Sequence, residues 1–141
     1  MRYKLKQFKN LSLALVAALF VGAQAHAADR IMCAMTAHSN DGLVPPKVLI
    51  EFRDDRGSAM VYDGTIHHVY GKPIAAVLEQ TGASRYTISW TVENLPLQGN
   101  TTTSAQYLVR LNAKTMKVTL TAYLNGYFNQ SRGSGKCQPL S

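Results

Sequence analysis

The sequence has none of the short motifs that carry chemistry in small proteins. There is no G-x-S-x-G elbow, no H-E-x-x-H, no paired C-x-x-C, no phosphate-binding loop and no glycine-rich dinucleotide fingerprint. Each of these holds reacting groups or a phosphate at fixed geometry within one turn of chain. Without them the chain reads as a non-enzyme, and no cofactor is expected. Its two cysteines, Cys33 and Cys137, are too far apart for a zinc signature with His38, His67 or His68, so no metal is expected either. Lys and Arg are spread along the chain without a run. The basic stripe with interleaved aromatics that marks nucleic-acid binding is not legible, and nucleic acid is not an expected partner. Beyond residue 27 no apolar stretch approaches the roughly 20 residues of a helical membrane span.

What is present begins with a leader. Arg2, Lys4, Lys6 and Lys9 form a positive n-region, Leu11 to Ala23 is an apolar run, and Ala25-His26-Ala27 is a small-x-small cleavage site. That order predicts a signal peptide over residues 1–27 and a periplasmic or secreted protein. Cys33 lies beyond the cut rather than beside it, so a lipid anchor is not expected. Four of the 15 basic residues and none of the 8 acids fall in the leader. The net charge of +7 therefore drops to +3 (11 bases against 8 acids) for residues 28–141, which suit one domain.

In an exported chain, two cysteines predict one disulfide, Cys33 to Cys137. On the chain-entropy model a closed loop of about 100 residues is worth up to about 4.7 kcal/mol. The alternatives are two free thiols or a metal pair.

Period-two alternation dominates the rest. In Arg85 to Glu93 (RYTISWTVE), Tyr86, Ile88, Trp90 and Val92 alternate with polar residues, which an extended strand sorts onto two faces. Similar strands are predicted over Ile31 to His38, Lys47 to Arg53, Ser58 to Tyr62, Thr65 to Tyr70, Tyr107 to Asn112 and Met116 to Ala122. Asp54-Asp55-Arg56-Gly57 reads as a hairpin tip, Asp63-Gly64 as a tight turn, and Asn125-Gly126 as a type I′ turn. The strand over Thr65 to Tyr70 would set His67 and His68 on opposite faces. Near residues 73–81 a short helix starting at Pro73 and a further strand fit equally well. Asn94 to Ala105 reads as a long exposed connection, and the residues after Phe128 as a polar tail.

Seven or eight short strands joined by turns predict an all-β, antiparallel barrel or sandwich. A disulfide between the first strand and the last segment favours the barrel, because closure removes the exposed edges.

Val61-Tyr62-Asp63, then Gly82-Ala83-Ser84-Arg85-Tyr86, Trp90 and Cys137-Gln138 together resemble the periplasmic and membrane-bound inhibitors of C-type lysozyme, which are small exported β-barrels. In that family a loop enters the lysozyme cleft and offers hydrogen-bond donors to the catalytic carboxylates. The resemblance implies that Ser84, Arg85 and Tyr86 are the binding residues. The residues alone give a broader expectation: an exported, non-catalytic binding or interaction module whose partner is another protein or a small apolar ligand. For the latter, Tyr86, Trp90, Tyr107, Tyr123, Tyr127 and Phe128 are the candidate cavity lining.

Overall fold

A computed structural model describes residues 29–53 and 57–140. The expected leader and the hairpin tip at Asp54-Asp55-Arg56 lie outside the described residues. The elements are β1 (Arg30–Ala37), β2 (Lys47–Phe52), β3 (Ser58–Asp63), α1 (Gly64–Tyr70), β4 (Ile74–Gln80), β5 (Arg85–Pro96), β6 (Thr102–Asn112), β7 (Lys117–Leu124) and β8 (Gln130–Leu140). The strands form a closed antiparallel barrel in sequence order, with β8 returning to pair with β1. The expected all-β class is found, and it is a barrel rather than a sandwich.

Alternation sorts the strands as expected. Ile31, Val48, Val61, Leu78, Ile88, Val109 and Leu120 are buried and face one continuous core. Cys33 and Cys137 are direct cross-strand partners on β1 and β8 and are bonded to each other across the ladder that closes the barrel.

The polar tail is a full strand. On β8 the inward positions are Ser131, Gly133, Gly135 and Cys137, all small, so no apolar alternation marks it in the sequence. The small size is required. A Cβ on Gly135 would lie 1.7 Å from the Ala34 carbonyl oxygen, and one on Gly133 would lie 2.6 Å from Val44 Cγ1.

The helix falls elsewhere than residues 73–81. Thr65 to Tyr70 is not a strand but most of α1, and Ile74–Gln80 is β4. The physical reason is capping. Asp63 accepts a hydrogen bond from the Ile66 N–H at 2.8 Å, and Gly71 ends the helix at φ 69° with its N–H bonded to the His67 carbonyl at 2.9 Å. Asp63-Gly64 is therefore a helix start rather than a turn between strands. Ile66 is buried in the core and both His67 and His68 are exposed, so the two histidines do not take opposite faces of a strand.

Asn94 to Ala105 is not a long connection. β5 continues to Pro96 through a bulge at which Asn94 takes φ 54°, leaving only residues 97–101 between the strands. At Asn125-Gly126 only the glycine has positive φ, 85°, so the turn has the type II sign pattern rather than I′.

The up-and-down order places α1 and the β1–β2, β5–β6 and β7–β8 connections at one end of the barrel. The β2–β3, β4–β5 and β6–β7 connections lie at the other.

Candidate functional site

The barrel interior is occupied by its own side chains. At its centre Trp90 and Tyr107 stack with centroids 5.3 Å apart, and both are almost fully buried. At the α1 end, Ile66, Val44 and Pro45 are buried, and the Tyr107 hydroxyl donates to the Leu43 carbonyl at 3.2 Å. At the opposite end Phe52 and Tyr86 meet as a tilted pair with centroids 6.4 Å apart.

The α1 end concentrates the perturbed ionisable groups. Asp63 is 5% exposed, and one of its oxygens, Oδ2, has no hydrogen-bond partner among the described residues. Burial raises its pKa, opposed by the backbone N–H groups of Ile66 and Thr65. Burial and the nearby Asp63 charge push the Tyr107 hydroxyl up to about 12. Asp41, on the β1–β2 connection, is held below the usual carboxylate range by the Ser131 hydroxyl and the Leu43 N–H. These groups fix the lid of the barrel: Asp63 starts α1, and Asp41 ties the β1–β2 connection to β8. Among the described residues no three His, Cys, Asp or Glu side chains come together as a metal set.

The expected binding residues separate. Arg85 is the first residue of β5 and points outward, exposed, whereas Tyr86 alternates inward, half-buried against Phe52. Ser84, in the preceding turn, accepts the Ala113 N–H at its carbonyl at 2.7 Å, which joins the β4–β5 and β6–β7 turns.

The outer wall holds what the sequence did not reveal. The β4–β5 ladder runs from Gln80/Tyr86 to Val77/Ser89 and stops, while Ile74 to Ala76 pair only with β3. At this seam the wall carries an open recess of about 520 Å³, framed by Ala75, Val77, Thr91, Gln106, Leu108 and Tyr123 and backed by Trp90 and Tyr107. Val77 is 57% exposed and Tyr123 37%. One signal was available: Leu108 stands on the face that otherwise carries Arg110 and Asn112. Val77 gave none, because its face depended on an element type the periodicity left open. Two aromatics of the expected cavity lining, Tyr127 and Phe128, are exposed in the β7–β8 connection, not inside the barrel.

No protein-family model, curated protein or solved structure matched the chain.

Proposed function

We propose that this chain is an exported, non-catalytic binding module that recognises a protein partner through the outer wall of its barrel, at the recess between β4 and β7. The observation that carries the proposal is the outward-facing apolar cluster around that recess, in which Val77 and Tyr123 are exposed and Leu108 is half-buried between them. With the interior filled, contact falls to the outside. Small-molecule pockets generally bury some 70–90% of the ligand, and a recess this open would leave a small ligand largely in water. An aliphatic or aromatic side chain projecting from a partner protein would be covered by the rest of the interface.

The test is partner capture from an envelope extract by the parent chain and by Leu108→Arg and Val77→Arg, with melting temperature measured alongside. Both substitutions point outward, so the fold should persist while capture of one saturable partner is lost. Undiminished capture by both variants would remove the proposal. An apolar dye that saturably quenches Trp90 fluorescence, with the quench lost in Leu108→Arg, would make the recess a small-ligand site instead.

A second reading rests on Arg85, exposed at the barrel end without an ion-pair partner among the described residues. A free guanidinium suits the buried carboxylates of a lysozyme cleft. The charge around it gives no steering toward a strongly basic lysozyme, since Lys117 lies beyond its partner Asn112 on one side and Glu79, the partner of Thr87, lies diagonally across on the other. Inhibition of a C-type lysozyme that is lost in Arg85→Ala with the fold intact would favour this reading; no inhibition at high excess would end it.

A further inference from the structure

We infer that the barrel carries a second interaction surface, an oblique stripe of basic side chains that binds an acidic polysaccharide. It is independent of the recess. All 8 acidic residues of the chain lie at or before Glu93, and from Asn94 onward the only charged residues are Arg110, Lys114, Lys117, Arg132 and Lys136. β6, β7 and β8 are adjacent, so the barrel has one wall without a negative side chain.

The strand register turns scattered bases into a line. Lys47 pairs with Ala34, Ala34 with Lys136, Lys136 with Lys117, Lys117 with Asn112, and Asn112 with Arg85. At about 4.8 Å per strand this row crosses six of the eight strands and runs about 24 Å around the curved outer wall of the closed barrel. Its four basic side chains are all exposed. Lys117 and Lys136 stand directly opposite one another, an arrangement that destabilises a sheet. No acid on that wall offsets it, and the one ion pair among the described residues, Arg53 with Glu51 at 4.0 Å, lies elsewhere. A repulsion retained in the fold is relieved when an anion bridges the two ammonium groups.

The neighbouring row decides the partner. Thr36, Ser134, Thr119, Arg110 and Thr87 are successive cross-strand partners, so hydroxyls run alongside the charges. Neither row holds an aromatic side chain on which the bases of a single-stranded nucleic acid would stack. Neither holds the bulky apolar residues that anchor a protein in a bilayer or form the core of a protein interface. A long, hydroxyl-lined track of spaced positive charges matches a polymer that repeats both anionic groups and hydroxyls.

The experiment measures binding of the protein, expressed from the full sequence, to polygalacturonate and dextran sulfate, with neutral dextran as reference. Saturable binding to the acidic polymers alone is expected, weakening as salt rises. Lys117→Gln with Lys136→Gln should weaken it about tenfold or more, whereas Arg53→Gln with Lys72→Gln, an equal change in net charge away from the stripe, should change it less than about twofold. The first double variant removes a repulsion, so its melting temperature should equal or exceed that of the parent. No binding, an equal loss in both double variants, or tighter binding of single-stranded DNA or phosphatidylglycerol vesicles through the same two lysines would overturn the inference.

Discussion

Trp90 and Tyr107 are direct cross-strand partners on β5 and β6, and they stack inside the barrel with planes 7° from parallel. Their rings fill the section of the core behind the wall recess. Trp90→Ala is expected to lower unfolding free energy by about 3–5 kcal/mol in urea denaturation. Trp90→Phe should cost less, because a ring remains and the buried indole N–H, which has no hydrogen-bond partner among the described residues, is removed. If Trp90→Ala melts like the parent, the stack is not part of the stabilising core.

Tyr107→Phe removes the bond to the Leu43 carbonyl and should cost about 1 kcal/mol. The tyrosinate absorbance of the parent should contain one component that titrates at about 12, and this component should be missing in the variant. Because the folded pKa is raised, the stability linked to the Tyr107 proton is present below the ordinary value of 10.0 and is lost as pH rises through about 12.

Asp63 and Asp41 should pull stability in opposite directions with pH. The Asp63 pKa is raised by burial, so its contribution is present below about pH 3.8 and is lost as pH rises through the folded pKa. Asp63→Asn keeps a capping oxygen and removes the buried charge. It should melt higher than the parent at neutral pH, with the gain disappearing in acid. The Asp41 pKa is lowered, chiefly by the Ser131 hydroxyl. Its contribution is present above the ordinary value and is lost as pH falls through the folded pKa, so Asp41→Asn should melt lower at neutral pH and converge with the parent in acid. Melting curves across this range check both signs, and a gain from Asp63→Asn that persists in acid would contradict the first.

The Cys33–Cys137 bridge closes a sequence separation of 104 residues. Cys33→Ala with Cys137→Ala should lower stability by up to about 4.7 kcal/mol in the chain-entropy model. Cys33 is 0% exposed and Cys137 4%, so a reductant should open the bridge only as fast as the barrel unfolds. Thiol release that is rapid in native buffer and independent of urea would show a bridge more accessible than this.

Two glycines separate close approach from simple backbone freedom. Gly135→Ala drives a Cβ onto the Ala34 carbonyl and should abolish the closing ladder, read as loss of the native circular-dichroism spectrum. Gly64→Ala, in the first turn of α1 with nothing within 4 Å of the added carbon, should leave stability unchanged or raise it by up to about 1 kcal/mol.

The sequence made the barrel legible wherever bulky inner residues alternate with polar outer ones, as in β2 and β5, and wherever turn residues flank them. β8 escaped because its inward positions had to be small. α1 escaped because Thr65, Ile66 and Val69 are β-branched, and short-range propensity favours a strand there. The caps at Asp63 and Gly71, with Ile66 buried over the barrel mouth, override that preference. At the expected binding loop, alternation already set Arg85 and Tyr86 on opposite faces of the strand, and only the resemblance grouped them as one binding set. The basic row could not be read without the register: its four charges come from four different strands and no two are near neighbours in the chain.

Arg30 pairs with Leu140 on the same ladder that carries the disulfide. The strands thus form a ring in which each lies beside its neighbours in sequence and the first lies beside the last. Such a ring has no privileged starting strand. A circular permutant that links the chain near Arg30 and Leu140 and opens it within residues 97–101 would keep the same eight ladders, and would leave both the recess and the basic stripe uncut.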